Sequence, residues 1–473
     1  MFIMGLLEKI YSIFPEVQGP AQKKLPFGEK LKWTLLILVL FFVLGLVPLF
    51  GLGENALQQF EFLSIILGAS FGSIISLGIG PLVTGSIVLQ LLNGTGILKF
   101  DLASHEGRRS FQGLQKIFSI FFILFESAIY VFMGGLAPTP VGGALSTGVT
   151  MTSGLFVQFE ILLVVQLVLG GLLIMFMDEV VSKWGFGSGL SLFIAAGVAQ
   201  QIFIRAFNFL PSPTNPDIAS GAIPAFVQFL SQGNVTGALL QVAAVVSTLL
   251  VFAVCVYAQA MKVEIPLTFG KVRGYGIRWP LNFLYTSNIP VILMAALLAN
   301  IQLFARLLES WGHPLFGTFA GQSPASGLVY WISPPNIVSS LIQGSFTLSQ
   351  LGQAAIYIFL MVVGAVIFSI FWIQTANMDA ASQAKQIMAS GLQIPGFRRD
   401  ERVLEKILER YIWPLTIVGG ASIGILAAFA DLTGALSHGT GILLAVMIVY
   451  KLYEEIAKQH MMDMHPALKK MME

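Results

Sequence analysis

Residues 60–92 read FEFLSIILGASFGSIISLGIGPLVTGSIVLQLL. The stretch is apolar enough to cross a membrane and exceeds the roughly 20 residues that one spanning helix needs. It does not read as one helix. Gly68, Gly72, Gly78 and Gly80 interrupt it, and Pro81 follows the last of them. Gly is costly inside a helix, and Pro removes a hydrogen bond and clashes with the preceding turn. Broken backbone at membrane depth survives only where protein or a water-filled cavity surrounds it. The segment is therefore read as two pieces, about 60–71 and about 74–92. The first is a half-helix that enters from outside and turns. In the second, Pro81 starts a new helix at its first turn, where the missing N–H is harmless. A kinked ordinary span is the alternative.

The rest of the chain agrees with a membrane fold. It has 473 residues, 56% of them hydrophobic and 11% charged, against roughly 25% charged in an average soluble domain. The other spans are expected at about 33–50, 114–135, 155–177, 187–209, 239–260, 286–308, 353–375, 411–430 and 440–457, which makes about ten with the broken one. The lone cysteine, Cys255, excludes an internal disulfide framework. No cleavable signal peptide is visible before the first span.

Charge orients the chain. On this topology 24 of the 26 Lys and Arg residues fall on one side, and only Arg205 and Arg306 fall on the other. Cytoplasmic segments retain cations. Both termini are thus expected in the cytosol and the protein in the plasma membrane. The opposite loops, 136–153, 210–235 and 312–349, are rich in Gly, Pro, Ser, Thr and Asn and read as turn-forming connectors. The parts are a cytosolic segment 1–32, a half of five spans 33–209, an external connector 210–238, a second half of five spans 239–457 and a cytosolic tail 458–473. Two halves with odd span numbers have opposite orientations, the arrangement of an inverted repeat with a pathway between the halves. The expected fold class is therefore all-α, with ten transmembrane helices in two pseudo-symmetric inverted halves around a central pore.

Catalytic chemistry is hard to find. Gly68-Ala69-Ser70-Phe71-Gly72 matches G-x-S-x-G, but a nucleophile elbow needs a strand–turn–helix with His and acid partners. GFGSG at 185–189 lacks a preceding strand and a βαβ unit. The chain has no G-K-[ST] phosphate loop and no H-E-x-x-H. No enzyme activity, cofactor or metal is expected. The serious alternative is a secondary transporter of small solutes. Transporters place ionisable groups at mid-membrane, and the deep spans here offer essentially one, Glu126, with Thr84, Gln90, Gln166, Asn288 and Asn300 as further polar groups. Asp178 and Glu179 read as interfacial residues at a cytosolic end.

Several motifs carry a resemblance. GIGPLVTGSIVLQLL (78–92), DEVVSKWGFGSGLSLFIAAGV (178–198), SNIPVILMAALLANIQ (287–302), GFRRDERVLEKILERYI (396–412) and GTGILLAVMIVYKLYEE (439–455) resemble the SecY family of protein translocase central subunits. IFPEV and the Lys-rich stretch at 13–33 are similar to its archaeal type. The resemblance implies a protein-conducting channel that translocates unfolded polypeptides and releases transmembrane segments laterally. It implies a pore ring of Ile79, Val83, Phe186, Leu190, Ile292 and Leu444, of which 79/83 and 186/190 have i, i+4 spacing. Phe186 stands where an aliphatic is usual. It implies a plug over about 60–70, including Phe60, Phe62, Leu63, Ile65, Ile66 and Leu67. Thr84, Glu126 and Asn300 match a polar cluster at a lateral gate between the second and third spans and the seventh and eighth. Lys271, Arg273, Arg398 and Arg399 match a ribosome-docking surface, where clustered cations would meet ribosomal RNA phosphates. The implied partners are a SecE-like gamma subunit, a small single-span beta subunit, the ribosome, signal sequences with nascent polypeptides, and the lipid bilayer.

Overall fold

The computed structural model describes residues 16–20, 25–55, 70–94, 97–98, 100, 105–140, 152–212, 217–269, 276–286, 289–320, 323–376, 378–389, 392–393, 400–437 and 439–464. The chain is mainly helical. Helix α1 spans Phe27–Leu46, α2 Gly80–Gly94, α3 His105–Phe132, α4 Ser153–Trp184 and α5 Gly189–Phe207. Next come α6 (Ala222–Ser231), α7 (Val235–Ala260) and α8 (Ile289–Ser310). The chain continues through α9 (Gly327–Ile332), α10 (Ile337–Ile342), α11 (Leu348–Thr375), α12 (Ala380–Ala389), α13 (Glu401–Leu432) and α14 (Gly439–Met464). Each of the nine unbroken expected spans overlaps one of these helices, and the second piece of the broken one overlaps α2. Among the described residues, 7 helices are long and apolar enough to cross a membrane. The others at span positions are α1, which carries Glu29, Lys30 and Lys32 early, the short α2, and α14 with its charged second half.

The broken segment is confirmed as broken, with one correction. Its second piece does not begin near 74. Residues 71–79 form consecutive turns, and helix starts only at Gly80, with Pro81 in its first turn. Gly72 and Gly78 have φ of 92° and 56°, a left-handed backbone that disfavours side chains. Serines replace the missing helical bonds: Ser73 donates to the Ser70 carbonyl at 2.6 Å and Ser76 to the Ser73 carbonyl at 2.5 Å. The turns dock on the end of α1, where Leu49 N–H reaches Gly72 O at 2.9 Å and Ile74 N–H reaches Val47 O at 3.0 Å. Gly170 of α4 lets this backbone come close, since a Cβ there would sit 1.8 Å from the Ile74 carbonyl oxygen. The first piece, 60–69 with the plug residues, lies outside the described residues.

Packing separates an inner helix from an outer one. In α8, 72% of the apolar window is buried inside the protein, against 11% in α7. One core runs through both halves and includes Ile79, Val83, Val198, Ile292, Met361, Ile423 and Leu444. A second joins Leu77, Ile123, Tyr130, Leu163 and Leu167 of the first half to Ala295, Ala299 and Leu303 of α8. The halves meet along two lines, α2 against α8 and α11, and α14 against α1 and α5.

Sequence reading missed the connectors' structure. The connection between α7 and α8 forms an antiparallel hairpin, β3 (Lys262–Phe269) with β4 (Gly276–Asn282), and β7 (Leu392–Gln393), between α12 and α13, pairs on the other edge of β3. Ile265, Leu281, Ile387, Leu404 and Leu408 give this region its own core. On the opposite face β1 (Leu52–Asn55) pairs with β2 (Leu136–Pro138), and β5 (Phe319–Ala320) with β6 (Ser323–Pro324). The connectors there, expected as turns, also hold α6, α9 and α10, because amphipathic runs such as AIPAFVQFLS cover the bundle's end.

Candidate functional site: a cavity and a polar seam between the halves

A cavity of about 460 Å³ lies between the two halves. Its walls come from α2, α3, the α4–α5 corner, α8, α11 and α14. Ile79, just before α2, and Val83, Ser86 and Gln90 of α2 line the cavity in helical register, a face that changes from apolar to polar. Phe186, Leu190 and Ile292 complete the apolar part, while Gln112, Gln115, Ser188, Lys451 and Glu455 line the polar part. Five of the six expected ring residues thus border one space. Leu444 does not. It is fully buried in the shared core, and α14 reaches the cavity through Ile448 one turn on.

The α4–α5 corner shows what positions this wall. Asp178 accepts from the Leu190 N–H at 3.0 Å and caps the start of α5. Gly189 must be small, because a Cβ there would lie 2.6 Å from Asp178 Cα. Asp178 is therefore more than the interfacial residue that its position suggested. Phe186 is held from the other side. Its N–H donates to Thr34 Oγ1 at 3.1 Å, and its ring meets Phe27 at 5.5 Å with Lys30 Nζ 5.6 Å from the centroid. Neither contact was legible, since each joins residues that no local motif relates.

The polar seam lies beside the cavity, on the α2–α8 line. Thr84 Oγ1 lies 3.1 Å from Glu126 Oε1, and Asn300 Nδ2 donates to Thr84 Oγ1 at 2.9 Å. Three residues from three helices are thus brought together as expected. Glu126 is 1% exposed and Asn300 6%. Tyr130, one turn beyond Glu126, is fully buried with no partner for its hydroxyl among the described residues, and the sequence reading did not single it out.

The cation-rich end is braced by the N-terminal segment. Lys183 pairs with Glu16 at 2.6 Å and donates to Val17 O, while Val17 N–H donates to Glu179, which also pairs with Lys116 at 2.5 Å. The Lys183 hydrogen bond holds the Glu16 carboxyl below the usual carboxylate range. Lys271, Arg273, Arg398 and Arg399 lie outside the described residues. Ser70 of the G-x-S-x-G match gives its hydroxyl to the Gly45 carbonyl at 3.1 Å.

A family model described as SecY matches residues 73–453. The chain belongs to the SecY family. A model described as the plug domain of Sec61p matches residues 39–72, which include the six expected plug residues. Protein translocase subunit SecY of Methanothermobacter thermautotrophicus is 45% identical over 466 residues, covering 98% of this chain and 97% of the relative. That of Pyrococcus furiosus is 43% identical, covering 99% of each. A structure described as that of a protein conducting channel has a TM-score of 0.82 at 38% identity, covering 98% of this chain and 99% of that one. Sec61 in a canine ribosome–channel complex from the endoplasmic reticulum has a TM-score of 0.79 at 37% identity, with the same coverage. The SecY fold is thus that of a multi-pass membrane protein, and membership in this family gives the transporter alternative no support.

Proposed function

We propose that the chain is the pore-forming subunit of a protein-conducting channel, passing unfolded polypeptide through the cavity between its halves and releasing apolar segments through the α2–α8 seam. The observation that carries this is the cavity with its apolar waist in a chain that matches SecY relatives along its whole length. Ile79, Val83, Phe186, Leu190 and Ile292 form the seal, with Leu444 packed in the core behind them, and an apolar constriction of this kind blocks ions by dewetting. Residues 60–70 are the plug. Thr84, Glu126 and Asn300 are the gate cluster. The membrane is the plasma membrane, with both termini in the cytosol. A SecE-like subunit and a single-span beta subunit complete the complex. The cations at 271, 273, 398 and 399 dock the ribosome through phosphates.

The test is reconstitution with the small subunits in proteoliposomes. A secretory polypeptide should become protease-protected inside the vesicles, and no ion gradient should drive uptake of small solutes. Solute uptake without polypeptide protection would overturn the reading.

A further inference from the structure

Thr84 Oγ1 has three polar neighbours in the closed seam: the Gly80 carbonyl at 2.8 Å, Glu126 Oε1 at 3.1 Å and Asn300 Nδ2 at 2.9 Å. A hydroxyl gives one proton and receives at two lone pairs. The Gly80 carbonyl and an ionised Glu126 could both only accept, and Thr84 has one proton for the two; the nearer acceptor, Gly80 O at 2.8 Å against 3.1 Å, takes it. The Asn300 amide nitrogen can only donate, so it fills one lone pair. Glu126 is satisfied as the third neighbour only when it carries a proton and donates into the lone pair that remains. Turning the Asn300 amide over would bring another acceptor to Thr84 and make the count worse.

The surroundings agree. Glu126 Oε2 is buried with no partner among the described residues, and an unpaired buried charge costs several kcal/mol in general terms. The cations of α3 itself, Arg108, Arg109 and Lys116, sit toward its start. The nearest of them is about 15 Å away along the helix axis. Helix α2 has no charged residue, and α11 has none, with Tyr357 its one titratable group. On α8 the charged residues are Arg306 and Glu309, which pair with each other at 3.1 Å. On α4 they are Glu160, at the start, and Asp178, Glu179 and Lys183, at the end. Those three already serve the α5 cap and the N-terminal brace. Tyr130 is the remaining titratable neighbour on α3.

We propose that the closed seam binds one proton, on Glu126, and that parting the seam releases it to the water that enters. The proposal rests on the reading of this seam as a gate. On parting, the Glu126 O–H bond breaks, the proton leaves on water, and the carboxylate is solvated. Tyr130 Oη, Asn300 Oδ1 and Glu126 Oε2, all without a partner among the described residues in the closed seam, are the atoms that hold the entering water. The closed state then binds one proton more than the open state. Rising pH therefore favours opening, by at most about tenfold in the open-to-closed ratio per pH unit. Glu126→Gln keeps an N–H donor toward Thr84 and has no proton to lose, so it holds the seam closed at every pH.

Two measurements on the purified complex in nanodiscs test this. The first is the infrared C=O stretch of a protonated carboxyl, expected in the wild-type closed channel and missing from Glu126→Gln. The second is the distance between spin labels at Phe132, the exposed end of α3, and Trp311, the exposed residue just after α8. The long-distance population should grow with pH in the wild type and stay flat in Glu126→Gln. A spectrum without a Glu126 acid band would overturn the bound proton. A band together with pH-independent distances, or equal pH dependence in Glu126→Gln, would overturn its release on opening. The band is read with no polypeptide translocated, so a wild-type complex that fails in proteoliposomes would remove the channel reading and leave the proton in place.

Discussion

Two helix interfaces in this molecule are built in opposite ways. Where α13 meets α11, glycines bring the backbones together: a Cβ on Gly424 would lie 2.8 Å from the Met361 carbonyl oxygen, and one on Gly420 would lie 2.6 Å from Ser369 Oγ. Where α2 and α3 meet α8, three polar side chains bridge the gap instead. Small residues permit close dispersion contact over a long line. Interhelical hydrogen bonds in membranes are worth only about 0.6 kcal/mol each on average. On the proposed reading the first interface is a fixed weld and the second is a seam that can part. The first lies inside the second half, and the second joins the two halves.

The largest effect should come from filling the weld. Gly424→Leu puts a side chain where backbone now sits, and overpacking of this kind costs about 1–3 kcal/mol or more. Thermal unfolding in detergent should show a clear drop for Gly424→Leu and no drop for Thr84→Leu. Equal losses at both sites would erase the distinction. Next is the seam itself. Replacing Thr84 and Asn300 by Leu makes it drier and better packed, which favours closure. Each 1.4 kcal/mol of added closure is about a tenfold smaller open population, so a test segment must be more hydrophobic to insert. A graded Leu/Ala segment should reveal the raised threshold, and an unchanged insertion curve would return the cluster to a structural role.

The smallest effect concerns the brace at the cation-rich end. The Glu16–Lys183 pair is exposed, so its contribution is no more than about 1 kcal/mol. Lys183→Ala should slightly loosen the N-terminal segment, read as faster proteolysis there, with no change at the seam. The Glu16 carboxyl is held below its ordinary range, so the brace is complete above the ordinary carboxylate range and is lost as pH falls through the lowered value. The proteolysis difference between wild type and Lys183→Ala should therefore narrow in acid, leaving the part due to the Lys183–Val17 carbonyl bond.

The helices were legible because apolar length and charge placement are local properties of the sequence. The break at 78–81 was legible for the same reason, since Gly and Pro act on their own backbone. The exact start of α2 was not, because the serine bonds and the docking on α1 that hold residues 71–79 as turns are tertiary. The β3–β4 hairpin escaped notice because VEIPLTF is too short to separate from an apolar connector, and its partner strand is set by pairing. Asp178 looked interfacial because its capping partner, Leu190, lies across a corner. The ring and gate residues came from the resemblance. Composition alone gave one deep carboxylate and several polar groups on other spans without saying which of them meet it, and nothing in it singled out Tyr130.

The central claim is that a moving polypeptide occupies the cavity between the halves. The most direct measurement is photo-crosslinking from a probe at Val83, in the cavity wall, to a translocation-stalled chain, compared with a probe at Phe252 on the exposed face of α7. Adducts from Val83 and none from Phe252 are the predicted result. Adducts from Phe252 with none from Val83 would contradict the account, because the chain would then be passing outside the bundle.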